Sequence, residues 1–285
     1  MAKDLGRSRA ALPTAAWVRR GATDALAVIR PIDLTSGELS LYTTRGPAWR
    51  ATVTVGSSDA MLIPVSGGVA VAGLSSAQYT GAPIVASVTV VSASSGTVRW
   101  SQQFAGQIDV QSSGDGNLLV TDLGTGTATK VAATTGKTLW QRGPEGTYRL
   151  WPMPLPDIDG NGTADIALVR LDSFVVIAGE DGRDLLVLGM DERPYPVGDV
   201  TGDGRSDLVV ATGAASAAPS VRLIAGRTLK TMWTRQVAVG EHGSALNVTG
   251  RGGLNGTLLV HAVSGPTVAL RPRDGRTIWL VPGPK

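Results

Sequence analysis

This 285-residue sequence predicts an all-β fold assembled from a repeated four-stranded unit. Three observations carry that expectation. A short turn, followed four residues later by a large apolar residue, recurs along the chain. Brief runs rich in Val, Ile and Thr precede the turns, as strands do. Gly and Pro are abundant (37 and 16) while charged residues make up only 17%, a turn-rich rather than helix-rich usage.

The first turn reads Thr35-Ser36-Gly37 and leads to Leu41. Ser94-Ser95-Gly96 follows the run 88–91 and leads to Trp100, and Thr134-Thr135-Gly136 follows 129–132 and leads to Trp140. Glu180-Asp181-Gly182 follows 174–177 and leads to Leu186. Thr228-Leu229 follows 221–224 and leads to Trp233, and Arg273-Asp274-Gly275 follows 267–270 and leads to Trp279. After a longer first step the spacing is roughly 40–50 residues, the period of a four-stranded propeller blade. The turn would join the third and fourth strands. A blade leaves one sheet face uncovered, so its neighbour must bury it. Inter-blade packing is therefore the expected role of Trp100, Trp140, Trp233 and Trp279, with sugar stacking the minor alternative. Trp17, Trp49 and Trp151 fall outside this spacing and are the better candidates for exposed aromatics, although a place in the core is the expectation for them ahead of a ligand platform.

Six turns are readable, which makes six or seven blades. About thirty residues precede the first turn, a tight fit for three strands of 5–6 residues each. Residues 15–20 are either a fourth strand that closes another blade or the tail of a lost one. The expected organisation is an N-terminal segment, 1–20, that is a closing strand or disordered, and a single β-propeller domain, 21–285. N-terminal truncation is one way to reconcile the count.

Two loops stand out. Asp157-Ile158-Asp159-Gly160-Asn161-Gly162-Thr163-Ala164-Asp165 and Asp199-Val200-Thr201-Gly202-Asp203-Gly204-Arg205-Ser206-Asp207 both place oxygen-bearing side chains at positions 1, 3, 5 and 9, with Gly at 4 and 6. Hard oxygen ligands alternating around a Gly turn are how a loop wraps Ca²⁺. The expected ligands are the side chains of Asp157, Asp159, Asn161 and Asp165 with the Thr163 carbonyl, and those of Asp199, Thr201, Asp203 and Asp207 with the Arg205 carbonyl. Neither loop is an EF-hand, because position 12 is Leu168 or Val210 where a bidentate Glu is required. A strand follows each loop at once. Metal-free Asx turns are the alternative, weakened by two copies 42 residues apart in matching places. The segment around Asn247 and Arg251, and the one from Asp109 to Asp115, look like decayed copies and take no metal. With its shell filled by protein oxygens, Ca²⁺ here is expected to be structural, with little room for an activated water.

The turns, as in Ala132-Ala133-Thr134-Thr135-Gly136-Lys137-Thr138-Leu139-Trp140, resemble the tryptophan-docking repeats of quinoprotein (PQQ) propellers. The Asp loops resemble the FG-GAP/VCBS repeats of integrin α-subunit heads and of many secreted bacterial proteins, in which position 9 completes the metal shell. The second resemblance implies Ca²⁺ and an extracellular or cell-surface location. PQQ is not expected: quinoprotein dehydrogenases are about twice this length, have eight blades and commonly hold a vicinal disulfide against the cofactor, whereas this chain has no Cys.

The lack of Cys also removes disulfides, thiolate zinc sites and cysteine nucleophiles. Net charge is only +3, with basic residues scattered and no Lys/Arg run, so nucleic acid is not an expected partner. No segment reaches the roughly 18 apolar residues of a membrane span, and residues 1–20 lack a signal-peptide core. The chain reads as soluble with no export signal. No catalytic constellation stands out. His261 lies in a strand pattern and reads as a packed or edge residue; His242 beside Glu241 could face a channel, but adjacent loop residues are a weak acid–base signal. There is no nucleophile elbow, phosphate loop or His-based zinc motif. Asn161, Asn247 and Asn255 each open an N-x-T triplet, a pattern common by chance.

The expectation that follows is a non-catalytic, calcium-stabilised propeller that presents loops to a protein or a glycan. Two alternatives remain: a glycan lyase or hydrolase with its site at the channel, and a scaffold resembling bacterial outer-membrane assembly propellers.

Overall fold

The computed structural model describes residues 14–32, 36–55, 60–73, 85–143, 152–170, 172–212, 219–237, 246–251, 256–262 and 265–283. Trp151, Glu241, His242 and Asn255 lie outside them. The described residues form six four-stranded antiparallel sheets and no helix, so none is long and apolar enough to cross a membrane. Every sheet is a meander in chain order. The first holds β1 (Thr14–Arg20), β2 (Thr23–Pro31), β3 (Ser36–Thr43) and β4 (Gly46–Thr54). The second holds β5 (Ala60–Val65), β6 (Gly68–Gly73), β7 (Val85–Ser92) and β8 (Val98–Ala105). The third holds β9 (Ile108–Ser112), β10 (Leu118–Asp122), β11 (Thr127–Val131) and β12 (Thr138–Arg142). The fourth holds β13 (Met153–Pro154), β14 (Ile166–Val169), β15 (Ser173–Ile177) and β16 (Asp184–Gly189). The fifth holds β17 (Glu192–Gly198), β18 (Asp207–Thr212), β19 (Ser220–Ala225) and β20 (Lys230–Gln236). The sixth holds β21 (Leu246–Arg251), β22 (Thr257–Ala262), β23 (Thr267–Leu270) and β24 (Thr277–Val281). Two compact units, Met1–Gln141 and Arg142–Lys285, divide the chain.

The blade character follows from how second strands are buried. β6 is buried along its whole length. Its Val69 and Val71 pack into a core shared with the first sheet, through Leu39 and Leu41. Its Ala70 and Ala72 point the other way, into a core shared with Leu118 and Val120 of the third sheet. β18 repeats the arrangement: Leu208 and Val210 join the cluster of the fourth sheet, while Val209 and Ala211 join that of the sixth. Side chains of a strand alternate between faces, so an uninterrupted apolar run is what a strand covered on both faces requires. Each Val or Leu buried this way stabilises by about 1.5–3 kcal/mol.

Tryptophan docking ties successive blades together. The indole N–H of Trp49 on β4 donates to the Ala93 carbonyl at 2.9 Å, that of Trp100 on β8 to Ala133 at 2.9 Å, and that of Trp233 on β20 to Pro272 at 2.7 Å. Each ring lies on the glycine of the next blade's turn: a Cβ on Gly96, Gly136 or Gly275 would sit 2.7, 2.9 or 2.6 Å from ring atoms. These glycines also have positive φ, which L side chains avoid. Trp140 is buried and Trp279 is 45% exposed; the packing role expected of the four is seen directly at Trp100 and Trp233.

The structure corrects the first repeat. Ser36 and Gly37 begin β3 and Leu41 lies within it, so this is no third-to-fourth-strand turn. That turn is Thr44-Arg45, and the docking residue is Trp49, opposite Leu41 at the same bulge where Trp100 faces Val90. Trp49 is therefore within the repeat, and the long first step shortens. Residues 15–20 form a strand, but as the first of their sheet, paired with β2, rather than a fourth strand closing another blade.

The fifth turn departs from the rule in two places at once. Leu229 takes glycine's position with φ 53°, and Leu186 takes tryptophan's position on the preceding blade. Both pack against the same buried cluster. A leucine in place of the indole leaves room for a side chain at the turn, which offsets the cost of its left-handed backbone, about 1–2 kcal/mol.

Candidate metal centre

Both Asp loops join the first strand of a blade to the second: residues 157–165 connect β13 to β14, and 199–206 connect β17 to β18. The ninth-position carboxylates are fully buried. Asp165 Oδ2 accepts the Ile158 N–H at 2.7 Å and Oδ1 accepts that of Gly179 at 2.9 Å. Asp207 Oδ2 accepts from Val200 and Thr201, both at 2.8 Å, and Oδ1 accepts the Gly226 N–H at 2.9 Å and the Thr201 hydroxyl at 3.2 Å. Each therefore anchors its loop to the peptide three residues before the turn position of its own blade. Burial pushes both carboxyls above the ordinary Asp range, with the backbone N–H bonds pulling the other way; at Asp165 the neighbouring Asp159 charge adds to the rise.

The first-position carboxylates organise the rest. Asp157 accepts backbone N–H groups from Gly160, Asn161 and Gly162, and Asp199 accepts those of Gly202, Asp203 and Gly204. Positive φ at Gly160, Gly162, Gly202 and Gly204 turns these N–H groups inward. Asn161 Oδ1 accepts from Thr163 N at 2.8 Å, and Asp203 Oδ1 from Arg205 N at 3.0 Å.

The loops differ in what they gather. Carboxylate oxygens of Asp157, Asp159 and Asp165 all lie within 4.8 Å of one another, the single such group among the described residues. Three converging carboxylates suit a hard divalent cation. The second loop has Thr201 where the first has Asp159, and it brings no such trio together. Two arginines also approach the first loop. Arg183 pairs with Asp159 Oδ2 at 2.6 Å and competes there with a metal ion. The Arg205 guanidinium lies directly over Gly160, where an added Cβ would displace it. So the donor set of Asp157, Asp159 and Asp165 fits a divalent ion, with Arg183 as its internal rival, and the fit is poorer at Asp199, Thr201, Asp203 and Asp207.

The third blade holds a residue that motif reading overlooks. In its first-to-second-strand loop, Asp115 Oδ2 meets the Lys130 ammonium at 2.7 Å, and the Lys130 side chain is only 2% exposed. Asp115 also accepts from the Ser113 hydroxyl and from the backbone and side-chain N–H groups of Asn117. Burial alone would raise its pKa, but the hydrogen bonds of Lys130, Ser113 and Asn117 outweigh that and hold the carboxyl below its usual range. Asn117 Oδ1 accepts the Ala133 N–H at 3.2 Å, the counterpart of Asp165 with Gly179. The Ala133 peptide thus serves both the loop and the docked Trp100. The available signal was Lys130 at an inward position of β11, in phase with buried Ala128. His261 is exposed on β22, a middle strand, with Nδ1 3.0 Å from the Thr267 hydroxyl, so it is neither packed nor on an edge.

Six four-stranded meander sheets define a β-propeller, and six blades fit. Solved structures of similar fold are distant in sequence. A eukaryotic initiation factor is 17% identical, with a TM-score of 0.57; the match covers 90% of this chain and 62% of that one. Dihydro-heme d1 dehydrogenase NirN in complex with DHE is 13% identical, with a TM-score of 0.56 over 94% of this chain and 57% of that one. The chain thus spans less than two thirds of either. BamB from Moraxella catarrhalis is 14% identical, with a TM-score of 0.41 over 93% and 87%. At such identities the likeness is one of fold. No protein-family model and no curated protein matches the sequence.

Proposed function

We propose that this chain is a non-catalytic propeller module of the FG-GAP/VCBS kind, braced by Ca²⁺ at its first Asp loop and used outside the cell or at its surface to dock a protein. The observation that carries the reading is how the acidic residues are employed. Asp157 and Asp165 hold the loop's own N–H groups, and Asp165 ties it to Gly179; such carboxylates fix a loop rather than activate a substrate. Asp157, Asp159 and Asp165 would hold the ion, which supplies positive charge to a trio that otherwise repels itself. Bound Ca²⁺ at 100 times its Kd adds about 2.7 kcal/mol of stability by mass action. Melting in EDTA and then in Ca²⁺ tests this: the midpoint falls in EDTA and recovers with Ca²⁺, and an unchanged midpoint in both refutes it.

A cleft of about 560 Å³ on the first blade supports glycan binding as a second reading. Trp17, 68% exposed, lines it together with Arg20, Asp24 and Arg45. An exposed ring beside guanidinium and carboxylate groups can stack on a sugar and bond its hydroxyls. A glycan array probed with the wild type and Trp17→Ala decides: signals lost in the variant support glycan docking, and none in the wild type removes it. Reproducible turnover of any glycan would overturn the non-catalytic reading.

A further inference from the structure

The cleft of the first blade lies where the chain takes a short connection. In the fourth and fifth blades the first-to-second-strand connection is an Asp loop, bonded through Gly179 and Gly226 to the stretch before the next turn. In the first blade only Gly21-Ala22 join β1 to β2, a hairpin in which Gly21 has φ 63°. The space between this hairpin and the β3–β4 hairpin stays open. Arg20, Thr23 and Asp24 line it from one side, Thr44 and Arg45 from the other, together with Trp17 of β1. Its charges are not balanced. Arg20 Nη2 donates to the Ser94 carbonyl at 3.3 Å, a neutral acceptor that positions the guanidinium and leaves its charge uncompensated. Arg45 is exposed, and no carboxylate pairs with Arg20 or Arg45 among the described residues. Asp24 is the single carboxylate among the described lining residues, and Arg19 stands opposite it in the β1–β2 register. The cleft therefore carries an excess of positive charge.

We propose that this cleft binds an acidic saccharide, with its anionic group on Arg20 and Arg45 and its ring on Trp17. The inference rests on the glycan reading above and names the class of sugar. Each part of the wall calls for a different part of the ligand. The uncompensated guanidiniums call for an anion, and a carboxylate or sulfate accepts two N–H bonds from one guanidinium fork. The Asp24 carboxylate only accepts, so it calls for hydroxyl donors. The exposed indole calls for a flat C–H face. A uronic acid or a sulfated pyranose presents all three on one ring. A neutral sugar leaves both guanidiniums without a counter-charge, and an acidic peptide supplies the charge but sets further carboxylates against Asp24. At about 560 Å³ the cleft is of ligand size.

The full chain is titrated calorimetrically with galacturonate, glucuronate and mannuronate oligosaccharides, their methyl esters, their neutral parent sugars and sulfated forms of those parents. An acidic form binds, and whether it is the uronate or the sulfated sugar identifies the anion. The methyl esters and neutral parents keep the ring faces and most hydroxyls, yet bind at least about tenfold more weakly for want of the charge-assisted bond. Arg45→Ala weakens the acidic sugar by a similar factor. Arg50→Ala removes the same charge from an exposed position of β4 outside the cleft and leaves binding unchanged. Trp17→Ala abolishes it, with the fold of every variant checked by circular dichroism. Neutral and acidic sugars bound equally, and both lost in Trp17→Ala, overturn the acidic class while the glycan reading stands. Equal weakening by Arg45→Ala and Arg50→Ala reports attraction to overall charge and overturns the site. A wild type that binds none of these sugars overturns both.

Discussion

Replacing Lys130 by Met tests the buried ion pair of the third blade. Met keeps most of the side-chain volume, so a cavity contributes little, and the change isolates the ammonium. Breaking a buried pair by removing one partner costs about 3–5 kcal/mol, because the remaining charge is left uncompensated. The lower end applies here, since Asp115 is 19% exposed and keeps donors from Ser113 and Asn117. About 3 kcal/mol corresponds to a fall in Tm of about 6–12 °C at roughly 2–4 °C per kcal/mol. Urea titration followed by tryptophan fluorescence measures it. Adding Asp115→Asn removes the orphaned charge and restores a good part of the loss, a coupling that a double-mutant cycle isolates. The pH dependence has a defined sign. The folded-state pKa of Asp115 is depressed, so its contribution is complete above its unfolded value of roughly 3.9. That contribution is lost as pH falls through the lower folded value. Wild type and Lys130→Met therefore converge in that acid window. A loss below about 1 kcal/mol, or a double variant no better than the single, refutes the reasoning.

Gly136→Ala places a Cβ 2.9 Å from the Trp100 ring at φ 73°; unfolding by urea should show about 2–3 kcal/mol lost from overpacking and backbone strain together. Arg183→Gln releases Asp159 from its ion pair and should tighten Tb³⁺ binding several-fold in a luminescence titration, while Asp157→Asn weakens it; equal affinities in all three proteins would remove Arg183 as the metal's competitor.

Much of the fold can be read in one dimension because the repeat is local. A strand, a turn with positive φ and a large apolar residue four positions later are all written within a dozen residues, so five of the six turns are identified correctly. The first is not, because Thr44-Arg45 is a tighter hairpin and Ser36-Gly37 imitates the pattern inside β3. Trp49 is misplaced for the same reason. The Asp loops are also legible, since alternating oxygens and paired glycines dictate how the backbone curls around its first carboxylate.

What the sequence by itself determined is the all-β repeat, the strands and the positions of the two acidic loops, because backbone sterics and alternation act over neighbouring residues. Tertiary structure alone decided the rest. It showed that Leu229 is tolerated beside Leu186, that Lys130 compensates Asp115, and that Arg183 shares Asp159. It also separated the loop whose three carboxylates converge from the one whose carboxylates do not. Each of these is a matter of distance between groups remote in the chain. Coulomb and packing energies depend on that separation in space, which only the assembled blades set.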